Sequence, residues 1–268
     1  MNKTVAIGGL GAIGLPLARA LDGGAIEGLR LIAVAARDPA RARERVAGFQ
    51  TPPEVVPPEG LAAADIVVEA APAAAFLSIA EPAIAAGRIF VPASVGALLV
   101  RMDLVLRARE TGARIIVPTG ALLGLDAVRA AAEGPVESVT LETRKPPAGL
   151  EGAPYLRQHG IVLAGLAEPR RVFAGTALAA AAGFPANVNV AAALALAGIG
   201  PVQTRVEIWA DPTIDRNIHT IRVEAEAARF TMTIENVPSA ENPRTGRLTA
   251  LSLLACLRGL VSVLKVGS

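Results

Sequence analysis

The feature that most constrains the fold is a glycine-rich turn between a short apolar run and a helical pattern, at the start of the chain. Residues 4–14 read TVAIGGLGAIG, which contains the pattern G-x-G-x-x-G. The first glycine permits a tight turn, the second lets the backbone approach a pyrophosphate, and the third lets the helix pack on the strand. The N–H groups and dipole of the helix N-terminus favour an anion. The turn predicts a dinucleotide site at Gly9, Gly11, Ala12, Ile13 and Gly14.

The rest of the first half alternates short apolar runs with helical patterns. The apolar runs occupy residues 4–8, 31–35, 65–69, 89–91 and 114–117, and the helical patterns between them include 13–21, 39–48, a stretch ending near 86, and 101–111. This alternation is typical of a parallel sheet covered by helices on both faces. Aromatic residues make up only 3% of the chain, so the core is expected to consist of small side chains. The predicted fold class is α/β, with a Rossmann-type sheet.

After Pro118 the pattern changes. We expect a helix at 121–132, a strand at 136–144, a loop-rich region at 149–170 and two helices around Pro185. Residues 202–209, 217–225 and 229–236 alternate with period two and predict antiparallel strands, and a closing helix follows at 248–264. The sequence therefore predicts two domains. Residues 1–118 form the dinucleotide-binding domain, with the closing segment 246–268 returning to it. Residues 119–245 form an α+β catalytic and oligomerisation domain with a mixed or antiparallel sheet.

Composition argues against several other classes of protein. The net charge is +2, without a basic run and with one Trp and one Tyr, so no nucleic-acid partner is expected. A single cysteine, Cys256, excludes an intramolecular disulfide and a cysteine metal site, and the two histidines are too far apart for a zinc motif. We therefore expect no metal.

An uncharged stretch at residues 172–204 is long enough to cross a membrane. Gly183-Phe184-Pro185 interrupts it, which favours two buried helices and no membrane partner. The first residues lead directly into a strand pattern and do not resemble a signal peptide, so a cytoplasmic location is expected.

The end of the second apolar run bears on the choice of coenzyme. An NAD site usually carries an acid there, which accepts a hydrogen bond from the ribose 2′-OH. Here Ala36 and Arg37 occupy the region, and Asp38 follows slightly late. A guanidinium suits a 2′-phosphate, so Arg37 favours NADP or the use of both coenzymes. The alternative is that Arg37 is a solvated loop charge.

Two further loops follow apolar runs, at Glu69-Ala70-Ala71-Pro72 and at Pro92-Ala93-Ser94. Ligands of open α/β sheets bind outside the carboxyl ends of the strands. Ala71, Pro72 and Ser94 are therefore candidate coenzyme contacts, although ordinary tight loops explain the same residues.

Histidine is scarce, since the chain has only His159 and His219. The ordinary pKa of histidine suits proton transfer. His219 lies beside Asp215, but from spacing alone a structural histidine is the better interpretation. His159 lies in the loop-rich region and reads as a surface residue.

Several motifs in the second half are familiar in combination. They are FPANVNVA at 184–191, TGALLGLD at 119–126, TRKP at 143–146, DP at 211–212, RNIH at 216–219, ENVPS at 235–239 and NPRT at 242–245. Together they resemble the L-aspartate dehydrogenases, and the resemblance covers nearly the whole chain. One departure is Leu122-Leu123, where smaller residues are common in that family.

The resemblance implies an NAD- or NADP-dependent oxidoreductase and a homodimer. Hydride would pass from Cα of L-aspartate to the nicotinamide, giving iminoaspartate, which yields oxaloacetate and ammonia or feeds NAD biosynthesis. It implies His219 as the catalytic acid/base and Ala121 and Asn187 as coenzyme contacts.

The two carboxylates of the substrate need cationic or amide partners. The candidate substrate-binding residues are Lys145, Asn187, Asn189, Asn217 and His219, with Arg144 a weaker one. Asp215 or a backbone carbonyl would orient the imidazole.

Two alternatives stay open on sequence alone. One is a related amino-acid or homoserine-type dehydrogenase on the same scaffold. The other is a sensor that binds NADP without turnover, for which substitution of His219 would have no chemical effect.

Overall fold

The computed structural model describes residues 2–185, 188–239 and 246–267 of the 268-residue chain. The chain divides into two compact units, the first of residues 1–118 with 249–266, and the second of 119–248 with 267–268. Asn187 and the motif at 242–245 lie outside the described residues.

The first unit is built on a six-stranded sheet in the order β3-β2-β1-β4-β5-β6, and all neighbouring strands pair in parallel. The strands are β1 (Lys3–Gly8), β2 (Leu29–Ala35), β3 (Glu54–Val55), β4 (Ile66–Glu69), β5 (Ile89–Pro92) and β6 (Arg114–Ile115). The direction of strand addition reverses between β1 and β4. In open α/β sheets this switch point is where ligands bind.

Burial explains why these segments are strands. Residues 5–7 and 66–68 are apolar and fully buried, as expected for strands with helices on both faces. The helices are α1 (Gly14–Asp22), α2 (Pro39–Val46), α3 (Phe76–Ala85), α4 (Val95–Leu99) and α5 (Asp103–Thr111). The closing helix, α10 (Arg247–Val261), adds Leu253 and Leu257 to the core of this unit.

The second unit is built on a mixed five-stranded sheet in the order β11-β10-β7-β9-β8. Its strands are β7 (Val136–Lys145), β8 (Arg170–Thr176), β9 (Arg205–Ala210), β10 (Asn217–Ala225) and β11 (Arg229–Asn236). Its helices are α6 (Leu125–Ala132), α7 (Pro154–Gln158), α8 (Ala177–Gly183) and α9 (Asn189–Ala197). The central strand β7 is antiparallel to β10 and parallel to β9. The predicted α/β fold class is confirmed, and the second sheet is mixed.

Alternation along β7 divides its side chains between two faces. Leu141, Thr143 and Lys145 are buried, whereas Glu142 and Arg144 are only partly buried. The buried set borders a cavity that residues of α8 and α9 also line. One face of this sheet is therefore covered by helices.

Three features of the second unit differ from the sequence-based expectation. The helix expected at 121–132 begins at Leu125, because Gly120 and Gly124 adopt left-handed backbone conformations and hold residues 119–124 as a loop. The edge strand β8 is not among the strands expected from the sequence. Its residues show no clear period-two pattern, and its pairing with β9 is irregular between Arg171 and Phe173. The strand expected at 202–209 is β9, and it does not pair with β10, because β7 lies between them and pairs with β9 in parallel.

The uncharged stretch forms the short helices α8 and α9. Within the described ranges, every helix is too short or too polar to cross a bilayer.

Candidate active site

The glycine-rich turn connects β1 to α1 at the switch point of the first sheet. Gly9 has φ +101°, and a Cβ there would lie 2.4 Å from the carbonyl oxygen of Ala70. A Cβ on Gly14 would lie 1.9 Å from the carbonyl oxygen of Gly9. These two positions need glycine for the fold itself.

Gly11 is different. It is exposed, and a Cβ there would meet no protein atom within 4 Å. The fold makes no demand for glycine at this position, and a ligand that approaches the backbone closely would account for one. Helix α1 begins beside it without a side-chain cap and without an acidic residue in its first turn. Its N–H groups are therefore suited to an anion, and the turn fits a dinucleotide pyrophosphate.

This contrast gives a first prediction. Gly14→Ala is expected to lower the free energy of unfolding by about 3 kcal/mol, because the new methyl group overlaps a backbone oxygen. Gly11→Ala is expected to leave it within about 0.5 kcal/mol while raising the coenzyme Kd about tenfold. Denaturant unfolding and coenzyme fluorescence titration measure the two effects. A Gly11→Ala protein that binds coenzyme as tightly as the wild type would contradict this reading of the turn.

The carboxyl end of β2 places Arg37 and Asp38 in exposed positions. The Asp38 carboxylate accepts a hydrogen bond from the backbone N–H of Arg41 at 3.1 Å and caps α2. Asp38, which lies beyond the position where an NAD site usually carries its acid, therefore serves as a helix cap. This is the usual role of Asp before a first-turn proline.

Glu69 ends β4 and ties together the two loops that carry Ala71, Pro72 and Ser94. Its side chain is fully buried and accepts hydrogen bonds from the Ala71 N–H at 3.0 Å, the Ser94 N–H at 2.9 Å and the Ser94 hydroxyl at 3.0 Å. Burial raises the pKa of Glu69, and these donors oppose the rise. The sequence alone assigns Glu69 no role. The one sequence feature that indicates a role is the presence of an acid at the end of an otherwise apolar strand.

In the second unit, strand register brings His219 and Thr143 together. His219 of β10 pairs directly with Thr143 of β7, and the Thr143 Oγ lies 3.1 Å from Nδ1 of His219. Both side chains are buried, with 2% and 3% exposure. Burial, followed by the positive charge of Lys145, lowers the pKa of His219 to about 3. Thr143 therefore orients the imidazole, and sequence reasoning missed it.

Lys145 lies two residues along β7 from Thr143, on the same face, and is only 6% exposed. Burial lowers its pKa to about 8. Thr143 and Lys145 both border a small cavity whose other walls are apolar. The lining residues are Leu141, Thr143, Lys145, Ala180, Phe184, Val188, Val190, Ala191, Val206 and Ile208. The site thus combines a buried cation with a buried, oriented imidazole.

The structure separates the remaining substrate candidates. Asn217 is half-buried at the start of β10, and Asn189 is exposed at the start of α9. Ala121 is half-buried in the 119–124 loop, where its carbonyl accepts a hydrogen bond from Nδ2 of Asn236 at 3.0 Å. Asn187 lies outside the described residues. The departure at Leu122 places a large side chain in the core, at 2% exposure.

The structure gives two sequence-based candidates, Arg144 and Asp215, partners other than those considered. Arg144 lies on the opposite face of β7, where it pairs with Glu142 at 2.7 Å and Asp211 at 3.4 Å and stacks over Trp209. It is engaged there and does not share a face with Lys145. Asp215 is exposed and pairs with Arg216 at 2.7 Å, so it does not orient His219.

His159 is exposed and stacks on Tyr155 with ring centroids 3.9 Å apart. Within the described part of the chain, no three His, Cys, Asp or Glu residues cluster in a way that would hold a metal ion.

A parallel sheet with this strand order and a glycine-rich turn at its switch point is the dinucleotide-binding architecture. With a buried imidazole and a buried lysine in the second unit, it defines a pyridine-nucleotide-dependent oxidoreductase. Residues 9–118 match the family model described as the NAD-binding domain of homoserine dehydrogenase, and residues 126–260 match the C-terminal domain of aspartate dehydrogenase.

Comparison with known sequences and structures identifies the family within this class of oxidoreductases. The chain is 56% identical over 265 residues to an L-aspartate dehydrogenase of Bradyrhizobium diazoefficiens, covering 98% of this chain and 94% of that protein. It is 52% identical to L-aspartate dehydrogenase 3 of Bordetella bronchiseptica, covering 98% and 97%. The crystal structure of aspartate dehydrogenase from Thermotoga maritima matches the whole of both chains with a TM-score of 0.73 and 26% identity. The chain belongs to the L-aspartate dehydrogenase family, which confirms the resemblance.

Proposed function

We propose that this protein oxidises L-aspartate with a nicotinamide coenzyme, giving iminoaspartate and then oxaloacetate and ammonia. The observation that carries the proposal is the shared face of β7 and β10, where Lys145 and the Thr143–His219 pair lie together and are all buried. Residues 1–118 with the closing helix would bind the coenzyme, and residues 119–245 would bind the substrate.

The turn at Gly9, Gly11 and Gly14, with the N–H groups at Ala12 and Ile13, would hold the coenzyme phosphates. Ala71, Pro72 and Ser94 would contact its nicotinamide half, and Ala121 and Asn187 are further contacts that family membership supports. A coenzyme held there would supply the acceptor for the hydride that leaves Cα of the substrate.

Lys145 would bind a substrate carboxylate. Its ammonium group is buried beside apolar walls, where a charge–charge interaction is less screened than in water. The half-buried Asn217 and the exposed Asn189 would offer amide hydrogen bonds to the carboxylates, as would Asn187.

His219 would act as the acid/base. Its lowered pKa keeps the imidazole neutral, so a ring nitrogen is able to accept a proton from the substrate ammonium group. When Nδ1–H donates to Thr143, Nε2 carries the free lone pair. A substrate carboxylate adds negative charge nearby and raises the pKa of His219, so the ring then retains the proton it accepts. The same group would assist the attack of water on the imine.

The decisive experiment follows nicotinamide reduction by purified protein with L-aspartate, with NAD and NADP side by side at mildly alkaline pH. L-Glutamate, L-homoserine and D-aspartate are the controls. Turnover selective for L-aspartate is expected. Preferential turnover of homoserine would move the protein to the related dehydrogenases, and coenzyme binding without any turnover would support a sensor.

We propose that the coenzyme site accepts NADP, because Arg37 is exposed at the end of β2 and Asp38 caps a helix. Arg37→Gln is expected to raise the Kd for NADPH about tenfold, through loss of a charge-assisted contact to the 2′-phosphate, and to leave the Kd for NADH within about twofold. Fluorescence titration measures both. Arg43→Gln, another exposed arginine nearby on α2, is the matched control. An unchanged Kd for NADPH would assign Arg37 to the solvated surface.

We propose that the protein is cytoplasmic and forms a homodimer, the assembly that the resemblance to the L-aspartate dehydrogenases implies. Light scattering of the purified protein is expected to give twice the 27.3 kDa mass of the chain. A monomeric mass at assay concentration would exclude the dimer.

A further inference from the structure

The buried carboxylate of Glu69 has no part in the chemistry proposed above. Its three observed partners, the Ala71 N–H, the Ser94 N–H and the Ser94 hydroxyl, all supply donors. Two of them are backbone N–H groups, which can only donate, so both carboxyl oxygens accept hydrogen bonds that stabilise the ionised form. Burial raises its pKa, but an ionised group surrounded by donors is the state that this geometry supports at mildly alkaline pH.

The Glu69 carboxylate lacks a counter-ion among the described residues. None of the ion pairs in the described part of the chain includes Glu69. Hydrogen bonds from neutral groups stabilise a buried carboxylate but leave its net charge of −1 in place. A buried, unneutralised charge acts over several ångströms, because the surrounding dielectric is low.

The position of Glu69 relative to the coenzyme turn follows from the sheet. Glu69 pairs with Gly8 at the ends of β4 and β1, on either side of the switch point. The carbonyl of the next residue, Ala70, is the group that a Cβ on Gly9 would strike. In this architecture a bound dinucleotide would place its adenosine ribose at the end of β2 and its pyrophosphate at the turn after β1, so its nicotinamide half would lie on the β4–β5 side.

We propose that the Glu69 carboxylate makes the coenzyme site prefer the oxidised over the reduced coenzyme. The oxidised nicotinamide ring carries a positive charge and the reduced ring is neutral, so a fixed negative charge on this side of the site favours the oxidised form. The inference rests on the proposed function, since it takes the first unit as the coenzyme site. Its consequence is a site that binds the oxidant of aspartate tightly and releases the reduced product readily.

The test compares the Kd values of the oxidised and reduced coenzyme at pH 8.5, for the NAD and the NADP pair, by calorimetry and fluorescence. Glu69→Gln removes the charge and keeps the shape. The ratio of the reduced to the oxidised Kd is expected to fall about tenfold. Ser94→Ala removes one donor and keeps the charge, so it is expected to weaken both forms by the same factor. Glu69→Asp keeps the charge and is expected to hold the ratio within about twofold of the wild type.

A merely structural role would weaken both coenzyme forms equally in Glu69→Gln, and that result overturns the inference. If thermal unfolding shows that Glu69→Gln does not fold, Ala71→Lys adds a positive charge to the partly exposed loop that Glu69 anchors. The same ratio is then expected to fall about threefold, and an unchanged ratio overturns the inference. Wild-type protein that binds neither coenzyme form overturns the proposed function itself.

Discussion

Replacing His219 by alanine is expected to lower kcat for L-aspartate oxidation about a thousandfold, with the coenzyme Kd within about twofold of the wild type. The imidazole is the one buried, neutral base on the face of β7 and β10 that carries Lys145, among the residues that the structure describes. Its loss removes proton transfer from the substrate ammonium group and from the attacking water. Steady-state kinetics and coenzyme titration separate the two parameters.

The other histidine and the partner of His219 provide the controls. His159→Ala alters an exposed ring that stacks on Tyr155, so kcat is expected to stay within about twofold. Thr143→Val keeps the shape and removes the Oγ that holds Nδ1, so kcat is expected to fall about tenfold, through loss of ring orientation. A His219→Ala protein that keeps its kcat, or that loses coenzyme affinity in proportion, would mean that His219 is structural.

The first unit was largely predictable because its signals are local. The strands β1, β2, β4 and β5 are short, mostly buried apolar runs with helices following them in sequence, so period and order predict a parallel sheet. The edge strands β3 and β6 have only two residues each and begin with an exposed charged residue, and the apolar pattern does not predict β3. The backbone itself requires glycine at two positions of the turn, because a Cβ at Gly9 or Gly14 would overlap neighbouring backbone atoms. What the pattern did not give was the role of Glu69, because three of its hydrogen bonds reach residues on two loops.

The second unit was less predictable because its arrangement depends on long-range pairing. β7 pairs with β9 and β10, which follow it by many residues, and neither partner is indicated by local alternation. The Thr143–His219 contact is a consequence of this register. Sequence proximity instead pointed to Asp215, which lies four residues from His219 but pairs with Arg216 on the surface.

Lys145 was placed among the substrate candidates by residue type alone, and the structure adds its burial and its face of the strand. By residue type, Arg144 was an equally suitable partner for a substrate carboxylate. Because side chains alternate along β7, Arg144 lies on the other face, where it pairs with Glu142 and Asp211. Neighbouring cations of one strand thus divide into a structural and a candidate binding residue, a distinction that only the face of the sheet decides.

Replacing Lys145 by methionine is expected to raise the KM for L-aspartate about a hundredfold with a smaller change in kcat, because the variant keeps the side-chain volume and loses the buried charge that would hold a carboxylate. Arg144→Gln is the matched control on the opposite face and is expected to change KM less than about threefold. Equal effects of the two substitutions would mean that Lys145 does not contact the substrate.

The pH dependence gives a second readout with a definite sign. The pKa of Lys145 is about 8, so the lysine is charged below that pH and neutral above it. In the wild type, kcat/KM is therefore expected to fall as the pH rises beyond about 8, and this alkaline limb should disappear in Lys145→Met and also in Lys145→Arg, whose guanidinium stays charged. Removing the positive charge also raises the pKa of His219, although burial, the larger cause, still holds it below its ordinary value. An alkaline limb that persists unchanged in both variants would assign it to another group and remove Lys145 from the binding step.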